Sequence, residues 1–215
     1  MKISVIGGTG NQGKGLTLRL AKAGHDVAIG SRSAEKAKEC AAAIREAHPE
    51  FAVAGMSNAD AAAYGEIAVM TLPFAAQPDI VPGLAPHLEG RIVVDTTVAL
   101  IPGKPPTIAD VPEGSSGVRL KAMLGNGVRL VTAFHTISAH MLERLDRPLT
   151  GDTLVAGDDP EAKEAVIRLA ESIGLRGLDA GPLHVSKTLE SITAMLIGMN
   201  MRYKRKSIGI SFVNI

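Results

Sequence analysis

The chain has 215 residues, enough for one large domain or for one domain with a small appendage. Lys and Arg number 23 against 22 Asp and Glu, and a net charge of +1 excludes the strong field of a nucleic-acid or membrane-surface binder. The single cysteine excludes internal disulfides and Cys-rich metal sites, and no apolar run reaches the ~18 residues of a membrane span.

The first predicted strand, Lys2–Ile6, runs straight into Gly8-Thr9-Gly10-Asn11-Gln12-Gly13, a Gly-x-Gly-x-x-Gly pattern, and then into an amphipathic helix over Asn11–Ala23. One glycine makes the tight turn, one lets backbone approach a pyrophosphate, and one lets helix pack on strand. The helix start offers unpaired N–H groups and a partial positive charge to the phosphates. A glycine-rich turn without ligand is the alternative. The apolar run after Met1-Lys2 is too short for a signal peptide, and the chain reads as cytoplasmic.

The second strand, Asp26–Ile29, ends without the carboxylate that an NAD site uses to bind the ribose 2′-hydroxyl. Ser31 and Arg32 stand there instead, with Lys36 one turn into the helix Ala34–Ala47. A hydroxyl, a guanidinium and an ammonium suit a 2′-phosphate, so NADP(H) is expected rather than NAD(H). A solvated helix start is the alternative, although cations are disfavoured at a helix N-terminus unless an anion binds. Cys40, inside that helix, reads as a packing residue.

Next come a strand over Phe51–Ala54, a helix over Asn58–Tyr64 and a strand over Ile67–Thr71. Leu72 and Pro73 follow on the same edge as the glycine turn, where Pro73 fixes the chain near the cofactor. Phe74 either stacks on a planar ligand or packs in the core. A helix over Ala75–Leu84 and a strand over Arg91–Asp95 continue the rhythm. Residues 99–117 are rich in Pro and Gly, and no regular structure is expected there. A loop that long is expected to be functional or mobile. A helix over Ser115–Leu124 and a strand over Arg129–Phe134 lead to His135 and Ile137, again at a strand's C-terminal end, where a polar His could touch a nicotinamide.

The last third is predicted to hold a strand at Thr153–Ala156, a helix at Pro160–Ile173, a strand at Leu175–Asp179 and a helix at Ser186–Tyr203. The tail Ser207–Phe212 alternates like a strand. The basic run 203–206 either complements the helix dipole or attracts an anionic substrate tail. The whole pattern predicts an α/β fold, a Rossmann-type doubly wound and mostly parallel sheet with a small C-terminal α/β lobe. Residues 1–150 are expected to form the NADP-binding domain and 151–215 a lobe covering the cleft. The six histidines show no ligand spacing, and no metal site is expected.

Taken together, Gly7–Leu16, Gly30-Ser31-Arg32, His135-Thr136-Ile137, Gly157-Asp158-Asp159 and Leu178–Leu183 resemble the NADP-dependent coenzyme F420 oxidoreductase family, in the family's order over nearly the whole chain. The resemblance implies hydride transfer between NADP(H) and coenzyme F420 as co-substrate. It implies that Thr9, Gly10, Asn11 and Gln12 hold the pyrophosphate and that Ser31, Arg32 and Lys36 surround the 2′-phosphate. It places His135 and Ile137 beside the nicotinamide, and it suggests a homodimer or larger homo-oligomer. The segment Asp95–Pro102 departs from the archaeal pattern. A flavin, a pterin or a small imine or carbonyl therefore stays open as the acceptor, and a non-catalytic NADPH-binding sensor is the alternative from another class.

Overall fold

The computed structural model describes all 215 residues. In chain order the elements are β1 (Lys2–Ile6), α1 (Asn11–Lys22), β2 (Asp26–Ser31), α2 (Ala34–Ala47), β3 (Val53–Ser57), α3 (Asn58–Tyr64), β4 (Ile67–Met70), α4 (Gln77–Leu88) and β5 (Ile92–Asp95). There follow β6 (Leu100–Ile101), β7 (Thr107–Ile108), α5 (Ser116–Leu124), β8 (Arg129–Thr132), α6 (Ala139–Glu143), β9 (Asp152–Gly157), α7 (Pro160–Ser172), β10 (Arg176–Gly181) and α8 (Ser186–Arg202). One-turn 3-10 segments at Phe74–Ala76 and Leu183–Val185 precede α4 and α8.

Eight strands form one sheet in the order β10-β9-β8-β5-β4-β1-β2-β3. The six from β3 to β8 are parallel. This is a doubly wound sheet, with its switch point between β1 and β4. Alternation along the strands separates the two cores. Ile3, Val5, Val69, Val94 and Val131 pack with residues of α1, α2 and α7 on one face. Ile6, Ala68, Met70, Val93 and Leu130 pack with residues of α3, α4 and α5 on the other. Both faces are covered, as parallel sheets require.

At residue 150 the chain changes direction. β9 pairs antiparallel with β8 and parallel with β10, so residues 151–215 extend the main sheet rather than forming a sheet of their own. α8 then crosses back, with Leu189 packed on Leu154 and Ala156. No helix is long and apolar enough to cross a membrane.

Several expected boundaries shift for identifiable reasons. The strand expected at Phe51–Ala54 runs over Val53–Ser57 and includes Gly55. A Cβ at Gly55 would lie 2.2 Å from the Ala37 carbonyl carbon, so the absent side chain is what lets β3 lie against α2. The helix expected to stop at Leu84 continues through Pro82 and Pro86 to Leu88, because Val81, Leu84 and Leu88 are buried in the core. The strand expected to reach Phe134 ends at Thr132, and Phe134 adopts the left-handed region at φ 63°. Residues 99–117 do carry regular structure: β6 and β7 form a two-stranded antiparallel hairpin. Its strands stay two residues long, because the intervening prolines cannot donate to a ladder. The tail 207–212 forms no strand. It docks through the Asp152 N–H, which donates to the Ile210 carbonyl at 2.8 Å, and through the Phe212 N–H, which donates to the Asp152 carboxylate.

Candidate active site

The site is built at the C-terminal ends of the parallel strands, around the switch point. Gly7 leaves β1 at φ 74°, a conformation that L side chains rarely adopt. Its N–H donates to Asn58 Oδ1 at 3.2 Å, and the Gly8 N–H donates to the Gly30 carbonyl at 2.9 Å. A Cβ at Gly13 would stand 2.5 Å from the Gly8 Cα and 2.8 Å from Thr71 Oγ1, so helix, turn and β4 meet with no side chain between them. Gly10 differs. A Cβ there would find nothing nearer than the Gly7 carbonyl oxygen at 3.8 Å, so its free space faces outward. Gly10 also caps α1 with no side-chain hydrogen bond. The first N–H groups of α1 therefore point at a position with neither a protein acceptor nor a blocking atom, which suits an anion.

At the end of β2, Ser31 is buried and its hydroxyl accepts from the Ser33 N–H at 3.3 Å. Ser33 caps α2 by accepting from the Lys36 N–H at 3.3 Å. Arg32 and Lys36 are both exposed, and neither enters an ion pair. Glu35 also lies in the first turn of α2, held by the Ser33 hydroxyl at 3.0 Å, but two cations free of ion pairs at a helix N-terminus again suit an anion. The donors present thus fit a dinucleotide that carries an extra phosphate.

Two adjoining clefts hold most of the remaining candidates. The smaller, of about 250 Å³, is lined by Gly10, Asn11, Gln12 and Gly13 with Thr71, Leu72, Pro73 and Phe74. The larger, of about 600 Å³, holds His135 and Ile137. Gln12, Thr96 and Val98 line both, so the glycine turn opens directly onto the His135 chamber. Gly8, Thr9, Ser31, Arg32 and Lys36 line neither cleft. Phe74 is only partly available to a planar ligand, since the Arg119 guanidinium lies over its ring at 3.7 Å.

His135 is held firmly. Its Nε2 lies 3.1 Å from the Thr97 carbonyl, the Thr193 hydroxyl donates to its own carbonyl at 3.1 Å, and its side chain is buried. Burial pushes its pKa down to about 4, so the ring is neutral near physiological pH. With Nε2–H donating to Thr97, Nδ1 is an acceptor, and no group of the chain pairs with it. The strained turn before it is secured by the Phe134 N–H, which donates to Thr153 Oγ1 at 2.9 Å. Ile137 is buried and lends an apolar wall.

Sequence reasoning missed the opposite wall. Thr193, Leu196, Ile197, Asn200 and Met201 of α8 line the large cleft. Their i, i+3, i+4, i+7, i+8 spacing marks one helix face, a signal already present in the sequence. It also missed Asn58, which no local pattern distinguishes, and a buried acidic pair beneath the site. The Asp95 carboxyl is pushed up to about 7, chiefly by burial. Burial likewise raises the pKa of Glu190, whose carboxylate accepts from the Ser116 N–H at 2.9 Å.

Comparison with known proteins places this geometry in a family. The family model described as NADP oxidoreductase, coenzyme F420-dependent, matches residues 2–99. A protein of Methanocaldococcus jannaschii named F420-dependent NADP reductase is 40% identical, covering 100% of this chain and 99% of its own length. One of the same name from Methanothermobacter thermautotrophicus is 39% identical, covering 100% and 96%. A crystal structure from Arthrobacter sp. FB24, provisionally named an F420-dependent NADP reductase, superposes with a TM-score of 0.85 at 26% identity, over 100% of both chains. An imine reductase from Bacillus cereus shares the fold alone, with a TM-score of 0.61 at 18% identity over 94% of this chain and 62% of its own. With full-length relatives at this identity, the chain belongs to the coenzyme F420-dependent NADP oxidoreductase family.

Proposed function

We propose that the protein transfers hydride between NADP(H) and coenzyme F420. One observation carries this reading: the glycine turn and the His135–Ile137 chamber share Gln12, Thr96 and Val98 as a common wall. A dinucleotide seated on the turn then has its nicotinamide end beside a second, largely apolar space able to take another planar ring. The family and its full-length relatives support F420 as that second ring.

When bound, NADP(H) supplies or accepts a hydride at its nicotinamide ring. Everything else falls to the chain. Thr9, Gly10, Asn11 and Gln12 would hold the pyrophosphate, Gly8 and Gly13 shape the turn that presents them, and Leu72 and Pro73 would wall it. Ser31, Arg32 and Lys36 hold the 2′-phosphate. His135, neutral and fixed on the Thr97 carbonyl, would form a rigid wall of the chamber beside the nicotinamide, and Ile137 would back the rings with apolar surface and exclude water. Residues 151–215 cover the cleft through α8. A cytoplasmic homodimer completes the reading; the exposed Met195, Met201 and Tyr203 of the α8 region leave an apolar surface for a second copy.

The test is an absorbance assay. NADPH should bleach F420 efficiently, NADH poorly, and FMN or a dihydropterin should accept little. Arg32→Asp should lower kcat/KM for NADPH by about tenfold to a hundredfold, the worth of a charge-assisted phosphate contact, and narrow the preference over NADH. Tight NADPH binding with no turnover of any acceptor would identify a sensor and overturn the reading.

A further inference from the structure

The large cleft is apolar inside and cationic at its mouth. Val98, Phe134, Ile137, Leu196 and Ile197 line the interior, whereas Arg205 and Lys206 line the exposed rim. No Asp or Glu lines the cleft at all. Neither rim cation forms an ion pair elsewhere in the chain, so their charge is uncompensated.

The segment that carries them is tied to the cleft wall. α8 ends at Arg202, and Lys204 then turns the chain in the left-handed region at φ 50°. The Arg205 N–H donates to the Asn200 carbonyl at 2.9 Å. The Ile208 N–H donates to Asn200 Oδ1 at 3.0 Å. Asn200 itself lines the cleft, so one residue of the wall folds the basic run back over the opening. The dipole of α8 attracts cations to its last turn, which accounts for Arg202. It gives no reason for cations beyond the helix to be turned back onto the rim of an acid-free cleft.

We infer that Arg205 and Lys206 bind an anionic extension, phosphate or carboxylate, that the hydride acceptor carries beyond its ring. The inference rests on the hydride-transfer reading above and names the polar half of the acceptor that the cleft fits. The phosphates of the dinucleotide have other seats, at the start of α1 and around Arg32 and Lys36. The acceptor is thus amphipathic: a planar ring against Ile137 and α8, and an anion at the rim. The two cations act on affinity and on the salt dependence of binding rather than on the chemical step.

The experiment compares equilibrium binding of three deazaflavins in the presence of NADP+, followed by the fluorescence of the ring. They are intact coenzyme F420 with its anionic side chain, the ring bearing only the phosphate, and the uncharged ring alcohol. In Arg205→Gln/Lys206→Gln, Kd for intact F420 should rise about tenfold and that for the ring alcohol far less. Wild-type binding of intact F420 should weaken as salt rises to about 0.5 M, and that slope should flatten in the variant. Arg205→Lys/Lys206→Arg should recover most of the lost affinity. A loss already present with the phosphate form, or one confined to the carboxylate-bearing form, supports the proposal and identifies the anion. An equal change for F420 and the ring alcohol, no change for either, or a rise in the Kd for NADPH instead would overturn it. If the wild-type protein reduces neither F420 nor the ring alcohol, the hydride-transfer reading falls as well; if it reduces both and the variant does not discriminate between them, only this inference falls.

Discussion

Single residues decide what the site can do by where they cannot move. His135 is a neutral, anchored ring with a pKa near 4, so it does not deliver a proton near neutrality. Ile137 is an apolar wall, and its truncation should act on ring placement. Ile137→Ala is expected to slow single-turnover hydride transfer by about tenfold, since small misplacements of reacting atoms carry large rate penalties. NADPH affinity should change far less, and stopped-flow absorbance separates the two. Asp95 makes a different prediction. Its folded carboxyl holds a proton up to about pH 7, whereas the unfolded chain releases it near the ordinary carboxylate value of 3.8. That contribution to stability is complete below the ordinary value and is lost as pH rises through 7. Asn keeps the oxygen that accepts from the Thr97 N–H and carries no charge. At about pH 8 Asp95→Asn should therefore be more stable than wild type by on the order of 2–4 kcal/mol, and the gap should shrink toward pH 5. Thermal unfolding at the two pH values checks it.

At the scale of elements, one side chain docks a whole segment. Arg19 of α1 is buried, and its guanidinium donates to the carbonyls of Leu142 and Met141 at 2.9 Å, of Arg144 at 2.6 Å and of Arg147 at 3.0 Å. These are the C-terminal carbonyls of α6 and of the turn after it; the turn has its own backbone hydrogen bonds, and Arg19, with Lys22 on the Leu145 carbonyl, ties it to α1. Gly15 allows the contact, since a Cβ there would lie 2.6 Å from Leu142 Cβ. Arg19→Met keeps the stem but removes the side-chain donor to the Leu142 and Arg147 carbonyls and one of two donors to those of Met141 and Arg144. The loss should be about 2–4 kcal/mol in urea denaturation, with faster proteolysis across 139–147. Because Ala139 and His140 of α6 line the large cleft, the same change should loosen the site.

For the whole molecule, the two clefts make ligand binding a contact among five stretches: 10–13, 71–74, 96–100, 134–140 and 193–208. A ligand that bridges them stabilises only the folded chain. NADP+ at ~100 times its Kd should raise stability by about 2.7 kcal/mol, seen as a thermal shift, and NAD+ at the same concentration should do much less. Equal shifts would remove Arg32 and Lys36 from the coenzyme site. The glycine turn, the missing carboxylate after β2 and the βα alternation were legible in the sequence, because each is a short-range pattern. A tight turn needs glycine within a few residues, and a buried strand needs apolar side chains along itself. The reversal of β9 and β10, the face of α8 toward the cleft, the grip of Thr97 on His135 and the return of Arg205 and Lys206 to the rim were decided only in three dimensions. Periodicity tells a segment that it must be buried, but the partner that buries it, and the atom that pairs with a buried imidazole, come from residues tens of positions away.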